Sequence, residues 1–556
     1  MERLSTYNRE KTIGRLKNDF FDVLIIGGGI TGSGIALDAA SRGLSTALIE
    51  KNDFASGTSS RSTKLIHGGL RYLKQFEIML VREMGRERST LHKLAPHLVR
   101  SGKMMLPILR GGTFGKVTTS IGLMLYDLLA GVKRDDRRKI LGRAETLALE
   151  PLLESDALEG SVVYAEYRTD DARLTIEVMK TAVSYGANSL NYIKAEDFLY
   201  HDGLIIGVKA KDVFSGEIFE IKAKRVVSAA GPWVDELRKI NNSFVGKKLH
   251  LSKGIHIVVP KEKFPVTQAI YFNAHDEERM IFAIPRGQIT YIGTTDTDYR
   301  DSPSKVTALD EDVQYLLKAV NHAFQAISLR KEDVISSWAG LRPLIHEEGK
   351  DVTEMSRKDE IFTSDSGLIS IAGGKLTGYR KMAEKIVNIV MENSTGVSID
   401  MTDKKKNCLT ATISLEGGDF NSDKELEAFT AGITRRLKEC GLTSEDARYL
   451  VFNYGKQSNI IIDSMRTFVA EVKDAELRML KAEALFTIEH ELVHCLTDFF
   501  VRRTGRMFFM IESVEKYYLD VADYFATLFG WDRQRLLEEV KSIEAFIFDS
   551  RNFPPS

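Results

Sequence analysis

A glycine-rich turn between a predicted strand and a predicted helix constrains the fold of this chain more than any other feature. Residues 20–50 read FFDVLIIGGGITGSGIALDAASRGLSTALIE, in which Gly27, Gly29 and Gly32 form G-x-G-x-x-G after an apolar run typical of a buried parallel strand. The first glycine permits a tight turn, the second lets the backbone approach a pyrophosphate, and the third lets helix and strand pack closely. Because the phosphates would lie at the positive N-terminus of the helix, the turn predicts a dinucleotide site.

An acidic residue ends the strand that follows this helix. Glu50 closes the segment 46–50 and lies 18 residues after Gly32, where a carboxylate can accept a hydrogen bond from a ribose hydroxyl. A carboxylate at this position disfavours a ribose 2′-phosphate. The order of strand, glycine turn, helix and acidic strand end therefore predicts an α/β Rossmann-like domain, with a chance glycine loop as the alternative.

The length and composition of the chain exclude several classes of protein. Its 556 residues, 43% of them hydrophobic, predict two or three domains with apolar cores. A net charge of −1 gives no reason to expect nucleic acid. Cys408, Cys440 and Cys495 are widely spaced and predict free thiols. The charged segment 1–19, a polar lead-in without an apolar core, is unlike a signal peptide, and no apolar run is long enough for a membrane span, so we expect a cytoplasmic protein.

A loop rich in Ser, Thr and Gly follows the Rossmann-like unit. Residues 53–73 also carry Arg61, Lys64, His67 and Arg71, interleaved with apolar side chains. Hydroxyl groups and backbone amides can bind phosphates and the edge of a flavin. We predict a binding segment here, and a flexible surface loop is the alternative.

Residues 76–132 have a mostly helical pattern that ends in a cationic run. The segments 104–109 and 121–132 are strongly apolar, and Lys and Arg residues are frequent in 133–139. A packed core helix followed by a solvated charge run is the simpler interpretation. An apolar helix with adjacent cations can also lie in a lipid interface, so residues 104–139 are the candidate for peripheral contact with the inner face of the cell membrane.

The remaining chain alternates strands and helices before an all-helical end. A hairpin, a buried strand, an antiparallel sheet, a helix and a further strand are predicted in this order at residues 205–221, 225–230, 248–295, 309–324 and 334–340. A second strand, glycine pair and helix occurs around Gly373 and Gly374. Residues 396–410 predict a polar linker, and residues 424–548 have helical periodicity.

Eight motifs are spread over nearly the whole chain. They are IIGGGITGSGIALDAASRGL at 25–44, SGTSSRSTKLIHGGLRYL at 56–73, DDARL at 170–174, AAGPWVD at 229–235, KGIH at 253–256, GLRP at 340–343, GGKLTGYRKMAE at 373–384 and DFFVRRTGRMFF at 498–509. Together they resemble the FAD-dependent glycerol-3-phosphate dehydrogenases of the aerobic, quinone-linked type. This combination is far more specific than the glycine turn alone.

The resemblance implies a fold of the amino-acid-oxidase and glutathione-reductase type. The discontinuous FAD-binding Rossmann-like domain would comprise residues 20–75, 155–245 and 335–395. An antiparallel-sheet α+β substrate domain would comprise 76–154 and 246–334, followed by the linker at 396–410 and an all-α C-terminal domain at 411–556.

The implied reaction is the oxidation of sn-glycerol 3-phosphate to dihydroxyacetone phosphate. A hydride would pass from C2 to flavin N5, and the electrons would then pass to a membrane quinone. A homodimer is left open.

This reaction needs an anion site for the phosphate, a base for the hydroxyl proton and a flavin held against C2. An arginine fork binds two phosphate oxygens at once. The family motifs place substrate contacts at Arg71, Tyr72, Arg342, Arg357 and Lys375. Each arginine has a structural ion pair as its alternative role.

The catalytic candidates are Arg71, Arg342, Lys375 and His256. Lys375 opens the helix after the glycine pair, where a cation would favour negative charge on the flavin. His256, at the point where KGIH ends a turn and starts a strand, is the preferred base, and Tyr72 and His67 are weaker alternatives.

The predicted cofactor contacts come from four segments of the chain. They are Gly27, Gly29, Ile30, Thr31 and Gly32 in the turn, Glu50 and Lys51 after the second strand, Ser59, Ser60, Lys64, Leu65, His67, Gly68 and Gly69 in the loop, and Ala230, Gly231, Gly374, Lys375, Leu376 and Thr377 in the later motifs.

A further motif invites a different chemistry. Residues 490–494 fit H-E-x-x-H, which on a helix can bind catalytic zinc. The apolar stripe that begins at Leu485 places both histidines on the opposite, solvent-facing side of a helix, whereas a zinc site needs them in a cleft. We therefore predict no metal site.

Three other functions stay open at this point. An oxidase on the same scaffold would pass electrons to O₂ and make H₂O₂, but in the family oxidases carry an inserted segment for which this chain is too short. An amine oxidase for an N-methyl amino acid would need one carboxylate-binding arginine and no phosphate site. A non-catalytic nucleotide-binding protein would lack flavin colour.

Overall fold

The computed structural model describes residues 3–67, 78–110, 138–274, 279–346, 359–392 and 399–555. Its strands are β1 Phe20–Phe21, β2 Val23–Ile26, β3 Thr46–Ile49, β4 Leu65–Ile66, β5 Arg100–Leu109, β6 Lys139–Gly142, β7 Leu158–Arg168, β8 Asn188–Leu190, β9 Ile193–His201, β10 Leu204–Asp212, β11 Ile218–Ala223, β12 Val226–Ser228, β13 Lys248–Pro260, β14 Ala269–Asn273, β15 Met280–Arg286, β16 Ile289–Gly293, β17 Thr297–Tyr299, β18 Ser336–His346, β19 Glu360–Thr363 and β20 Leu368–Ala372.

The helices fall between these strands and at the C-terminal end. They are α1 Arg9–Asn18, α2 Ile30–Ser41, α3 Ile78–Leu94, α4 Arg143–Leu149, α5 Asp171–Ser184, α6 Val234–Ile240, α7 Asp310–Ala323, α8 Tyr379–Met391, α9 Asp423–Glu439, α10 Ser444–Tyr454, α11 Ser458–Met465, α12 Ala475–His490, α13 Arg506–Phe509, α14 Ile511–Phe529 and α15 Arg533–Arg551. A π-helical turn, Asp498–Arg503, precedes α13.

The glycine turn lies in a six-stranded sheet with the strand order β19-β20-β12-β2-β3-β8. The four pairs from β20 to β8 are parallel, and β19 is antiparallel to β20. Because β2, β3 and β12 are buried on both faces, their sequences are continuous apolar runs. Helix α2 packs against α5 and α8. The predicted Rossmann-like arrangement is confirmed, and the late strand, glycine pair and helix join the same sheet.

The predicted hairpin is also confirmed. It forms part of a four-stranded sheet with the order β1-β11-β10-β9. Strands β10 and β11 are antiparallel, with Val208 opposite Ile221. The alternation of apolar and polar residues that predicted the hairpin corresponds to one buried and one exposed face in β11.

A ten-stranded sheet carries the remaining strands. Its main path is β17-β13-β16-β15-β14-β5-β7-β4, with β18 paired to β13 and β6 paired to β7. The antiparallel sheet predicted for residues 248–295 is confirmed by the antiparallel pairing of β13, β15, β16 and β17. The long pair of β13 and β18 places Trp338 opposite His256 and Arg342 opposite Ser252.

One helical prediction is wrong. Residues 104–109 lie in strand β5, which pairs with β7 on one side and β14 on the other. A short apolar run fits a buried strand as well as a helix, and here the partners on both sides decide. The helix predicted at 309–324 is confirmed as Asp310–Ala323. Residues 121–132 and most of the cationic run lie outside the described residues.

The C-terminal end is helical, as predicted. Helices α9 to α12 enclose an apolar core that includes Leu450 and Phe486. A second core is shared between α12 to α15 and the ten-stranded sheet, where Phe499 and Phe508 belong to the same cluster as Trp338. The helical unit is therefore packed onto the sheet. The domain boundaries inferred from the sequence stay a prediction, because strand order alone does not fix where a folding unit ends.

The first residues are not the polar lead-in that we predicted. Residues 9–18 form helix α1, whose Ile13 and Leu16 are buried. Leu4 pairs with Glu491, and Arg9 forms a salt bridge of 2.7 Å with Asp212. Only two apolar side chains anchor this helix, so its sequence lacks the periodicity that predicts a packed helix.

Two further results concern the cysteines and the membrane. The three cysteines are free, as predicted. Within the described ranges, no helix combines the length and the apolar character needed to cross a membrane.

A buried histidine predicts how stability depends on pH. His97 is 0% exposed, and neither ring nitrogen has a hydrogen-bond partner among the described residues. Burial, assisted by the charges of Arg173 and Lys180, lowers the pKa of His97 to about 3. Below about pH 6.5 the unfolded chain binds a proton that the folded chain does not, so the free energy of unfolding falls by about 2 kcal/mol at pH 5 from this residue.

We therefore expect His97→Leu to reduce the loss of stability between pH 7 and pH 5, measured as the shift of the urea-unfolding midpoint. His201→Leu is the matched control, because the His201 side chain is 75% exposed. A wild-type pH dependence in the His97 variant would contradict the assignment of a neutral buried ring.

Candidate active site

The glycine turn is built so that no side chain fits in it. Gly27 has a φ of +117°, and a Cβ there would lie 2.5 Å from the carbonyl oxygen of Ala229. A Cβ on Gly32 would lie 1.9 Å from the carbonyl oxygen of Gly27. Gly29 precedes α2 and has no side chain to cap the helix. The residue that precedes α2 thus leaves the helix N-terminus uncapped by a side chain of its own, which is an arrangement that binds phosphate groups.

Glu50 is held against this turn. Its Oε2 accepts a hydrogen bond of 2.7 Å from the Gly28 amide, and its Oε1 accepts one of 2.8 Å from the Asn52 amide. Burial raises the pKa of the Glu50 carboxyl. Lys51 points elsewhere, with its ammonium 4.2 Å from the centre of the Trp233 ring.

The Ser-rich loop contacts the same turn. The Ser59 hydroxyl accepts a hydrogen bond of 3.0 Å from the Ile30 amide, the first in α2. Ser60 is buried, and its carbonyl oxygen accepts a hydrogen bond of 3.1 Å from Lys64 Nζ. The Lys64 ammonium also contacts Asp171 at 2.5 Å, inside the protein. Residues 59–64 of this loop are therefore packed against the turn and against Asp171.

The late glycine segment returns to this loop. Thr377 donates a hydrogen bond of 3.1 Å to the carbonyl oxygen of His67, and Leu65 in β4 is buried. Lys375 and Leu376, both half-buried, lie at the start of a short 3₁₀ helix, Leu376–Gly378, which leads into α8. The helix predicted after Lys375 thus begins as a single tight turn.

The AAGPW segment completes the surroundings of the turn. Ala230 and Gly231 follow β12, next to the Ala229 that Gly27 contacts. The indole Nε1 of Trp233 is buried and has no hydrogen-bond partner among the described residues. A buried donor without a partner inside the protein is a natural place for a ligand acceptor.

Arg342 lies on β18 in the ten-stranded sheet. Its Nη2 donates 2.9 Å to the Thr294 hydroxyl, and its Nη1 donates 3.1 Å to the Thr295 carbonyl oxygen and 3.3 Å to Asp296 Oδ1. A Cβ on Gly254 would lie 2.4 Å from Arg342 Nη2. The glycine of KGIH therefore leaves room for the guanidinium, which remains about one-third exposed.

His256 lies in the middle of β13, so the prediction that it stands where a turn meets a strand is wrong. Its ring stacks on Trp338 with the centroids 4.7 Å apart, and its Nε2 is 3.0 Å from the Thr63 hydroxyl. Burial, together with the charges of Arg342 and Lys64, keeps the pKa of His256 well below its usual value. The ring is therefore neutral at neutral pH.

Five of the predicted site residues lie outside the described residues and stay predictions. They are Gly68, Gly69, Arg71, Tyr72 and Arg357. The contacts of the Arg342 guanidinium with Thr294 and Asp296 were not predicted. The sequence TTDTD at 294–298 is polar and directly follows an apolar strand, which is the one signal that could have indicated them.

The prediction that the histidines of H-E-x-x-H lie on one helix and face solvent is wrong. Helix α12 ends at His490, and Leu492 has a φ of +54°, so the motif does not lie on one helix. His490 is buried and stacks on Phe486, and His494 packs against Tyr192. The histidines therefore face the protein interior and not solvent. In the ranges that the structure describes, no cluster of three His, Cys, Asp or Glu side chains could hold a metal ion.

Comparison with known proteins shows to which family of dinucleotide-binding proteins the chain belongs. A family model described as FAD dependent oxidoreductase matches residues 22–380, and one described as the C-terminal domain of alpha-glycerophosphate oxidase matches residues 408–536. The chain belongs to the FAD-dependent oxidoreductases. The first match contains the glycine turn, the Ser-rich loop and the late glycine pair.

Individual members of this family match nearly the whole chain. An aerobic glycerol-3-phosphate dehydrogenase of Bacillus subtilis is 47% identical over 99% of this chain and 98% of its own length. One from Staphylococcus aureus is 46% identical over the same shares. The X-ray structure of the glycerol-3-phosphate dehydrogenase from Bacillus halodurans complexed with FAD is 41% identical, with a TM-score of 0.84 and 99% of both chains covered. An L-alpha-glycerophosphate oxidase from Mycoplasma pneumoniae, 16% identical with a TM-score of 0.54 over 70% of this chain and 98% of its own, shares the fold.

The cofactor of the family fits the residues that surround the turn. Gly27 and Gly32 allow close backbone contacts at the turn, Glu50 supplies a carboxylate beside Gly28, and the Trp233 indole supplies a donor without a hydrogen-bond partner among the described residues. The turn, the AAGPW segment and the late glycine pair come from distant parts of the chain, as a large two-part cofactor requires. The FAD-dependent class predicted from the sequence is confirmed.

Proposed function

We propose that this chain oxidises glycerol 3-phosphate to dihydroxyacetone phosphate with FAD as the electron acceptor. One observation carries this conclusion: proteins named aerobic glycerol-3-phosphate dehydrogenase are 46–47% identical to it over 99% of its length. When bound, FAD supplies a two-electron acceptor for the hydride from C2. The residues of the chain bind the substrate, accept its hydroxyl proton and exclude water.

Arg342 is the proposed phosphate ligand of this site. Its guanidinium is fixed by Thr295 and Asp296 but stays about one-third exposed. A fixed, planar cation loses little freedom when it binds two phosphate oxygens. Arg71, Tyr72, Arg357 and Lys375 are proposed as further substrate contacts on the family motifs.

His256 is the proposed acceptor of the hydroxyl proton. The buried ring is neutral at neutral pH, which is the form that accepts a proton, and its lowered pKa makes it a weak base in the free chain. Its Nδ1 is buried and lacks a hydrogen-bond partner among the described residues. The side chain is only 1% exposed, so the ring is shielded from bulk water.

The proposed cofactor contacts follow from the geometry of the turn. The amides that begin α2 would bind the pyrophosphate, and Glu50 would bind a ribose hydroxyl. Lys375, next to the glycine pair, would favour negative charge at the reactive end. The Lys64 ammonium forms a salt bridge with Asp171, and the Lys64 backbone is left-handed, with a φ of +58°. We therefore propose that Lys64 fixes the shape of the loop and does not bind the cofactor through its ammonium.

The electron acceptor that we propose is a membrane quinone, on the sequence resemblance. Peripheral membrane contact through residues 104–139 is a proposal on the same basis; Met104, Met105, Leu106 and Ile108 are buried in β5, and residues 111–137 lie outside the described residues. The three-domain division and a homodimer are proposals of the same standing.

Anaerobic addition of glycerol 3-phosphate tests the proposed reaction. We expect the oxidised flavin absorption of the purified, yellow protein to bleach with about one equivalent of glycerol 3-phosphate, because a hydride transfer carries both electrons that the flavin takes up. Sarcosine should leave the spectrum unchanged. Bleaching by sarcosine alone would instead support an amine oxidase, and a colourless protein would support a non-catalytic nucleotide-binding protein.

The same sample separates the two acceptors. A soluble quinone analogue should restore the oxidised spectrum much faster than air does. Rapid reoxidation by air with one equivalent of H₂O₂ would show an oxidase.

A further inference from the structure

A buried carboxylate joins the FAD-binding sheet to the C-terminal helical unit. Asp53 is 1% exposed, and its carboxylate accepts hydrogen bonds from two consecutive arginines of the π-helical turn. Arg503 binds it bidentately, at 2.7 Å and 2.9 Å, and Arg502 Nε donates at 2.5 Å. Asn191 adds a hydrogen bond of 2.8 Å. Asp53 is thus held by four hydrogen bonds, three of them from residues about 450 positions later in the chain.

The arginines are themselves fixed. Arg503 is 0% exposed and also donates to the carbonyl oxygen of Glu491 at 2.8 Å and 3.1 Å. Arg502 forms a second salt bridge of 2.6 Å with Asp498. Burial alone would raise the pKa of the Asp53 carboxyl, but Arg503 and Arg502 outweigh it and hold that pKa well below its usual range. Asp53 is therefore a buried, ionised carboxylate between two guanidinium groups, whereas burial and the charge of Asp53 raise the pKa of Asp498.

Asp53 lies within a short loop that grips the glycine turn. In this loop, residues 50–55, Glu50 accepts a hydrogen bond of 2.7 Å from the Gly28 amide. At the other end, the Ala55 amide donates 3.0 Å to the Gly28 carbonyl oxygen. Phe54 packs so closely that a Cβ on Gly28 would lie 2.5 Å from its ring. The 50–55 loop thus binds both the amide and the carbonyl oxygen of Gly28. Arg502 and Arg503 in turn bind Asp53 in the middle of this loop.

We propose that Arg503 is a positioning residue for FAD, through which the C-terminal helical unit fixes the 50–55 loop and hence the glycine turn. This inference rests on the proposed binding of FAD by Glu50 and the turn. It gives the C-terminal unit a role in retaining the cofactor. Without the Arg503 contact, the 50–55 loop is no longer fixed in the free chain. Binding of FAD must then order the loop, and this cost makes FAD dissociate more readily.

The test compares two buried arginines of the same unit. Arg503→Met should speed the release of FAD from the holoenzyme by about tenfold, followed by the rise of free flavin fluorescence after dilution. The KM for glycerol 3-phosphate, measured with saturating FAD, should stay within about twofold of wild type. Arg506→Met is the matched control, because Arg506 is also 0% exposed and its 3.0 Å salt bridge to Glu483 lies within the helical unit. It should destabilise the unit without changing FAD release.

A conservative variant and an exchange measurement on the unmodified chain test the proposal if Arg503→Met folds poorly. Arg503→Lys keeps the charge and should recover part of the slow release. In the unmodified chain, loading with FAD should slow hydrogen exchange of the amides at 498–504 more than that of α15, since coupling between two sites is reciprocal. The inference would be overturned if the Arg503 and Arg506 variants released FAD at equal rates, or if FAD did not change the hydrogen-exchange rates at 498–504. Glu50→Gln separates the two proposals: if FAD release is unchanged in that variant, the proposed cofactor contact itself is wrong.

Discussion

Replacing Arg342 with alanine should lower kcat/KM for glycerol 3-phosphate by about 10²- to 10³-fold while leaving FAD bound. Each hydrogen bond between a guanidinium and a charged oxygen contributes about 1.5–3 kcal/mol, and each 1.4 kcal/mol is a factor of ten, so a bidentate phosphate contact near the lower end of about 3–6 kcal/mol accounts for this range. The cofactor should stay because Arg342 contacts Thr294, Thr295 and Asp296, which follow β16 of the ten-stranded sheet.

Two variants make the Arg342 result specific. Arg342→Lys keeps the positive charge but lacks the planar guanidinium that binds two oxygens, so it should recover only part of the lost kcat/KM. Arg300→Ala is the matched control, since Arg300 is 89% exposed and pairs only with Asp298 among the contacts described. Steady-state kinetics and the flavin-to-protein absorbance ratio should be measured on the same preparations. Parallel loss of FAD and of substrate affinity would mean that Arg342 is structural.

The dinucleotide part of the site could be predicted from the sequence because its chemistry is local. Gly27 and Gly32 are required by close backbone contacts at the turn, and Glu50 follows at the end of the next strand. The hairpin and the C-terminal helices were likewise predicted, since their periodicity reflects one buried face. Such features depend on residues that are close together in the sequence, so the local sequence pattern is enough to predict them.

The parts that were mispredicted depend on partners far away in the sequence. Strand β5 is apolar enough for a helix, and only its pairing with β7 and β14 decides the structure. His490 and His494 seemed exposed because the helix was assumed to continue, whereas it ends at His490. The salt bridges from Arg502 and Arg503 to Asp53 could not be predicted from spacing, because about 450 residues separate the partners.

Gly32→Ala should strongly weaken the retention of FAD, because the added methyl group clashes with the backbone of the glycine turn. The new Cβ would lie 1.9 Å from the carbonyl oxygen of Gly27 and 3.0 Å from its carbonyl carbon. These are backbone atoms, so no rotamer change can relieve the clash. Helix α2 must move away from the turn, and the amides at its start then leave the phosphate position.

The size of this effect follows from the cost of overpacking. Inserting a methyl group into a packed site costs about 1–3 kcal/mol or more, and a strain that falls on the FAD-bound state weakens binding by up to about 100-fold. Gly14→Ala is the control for helix propensity: nothing lies within 4 Å of the position that its new methyl group would take, and the variant should be slightly stabilised. Gly34→Ala, in the same helix as Gly32, would contact the Tyr379 ring at 2.7 Å and should lower stability with less effect on FAD.

Measurement of flavin content after gel filtration, together with the FAD dissociation constant, distinguishes these three variants. The order of effects should be strong FAD loss for Gly32→Ala, lower stability with FAD retained for Gly34→Ala, and neither for Gly14→Ala. A Gly32→Ala protein that purifies with one FAD per chain would show that α2 can shift without disturbing the phosphate position. The cofactor would then be held mainly by Glu50 and the Ser-rich loop, and the start of α2 would be a packing element alone.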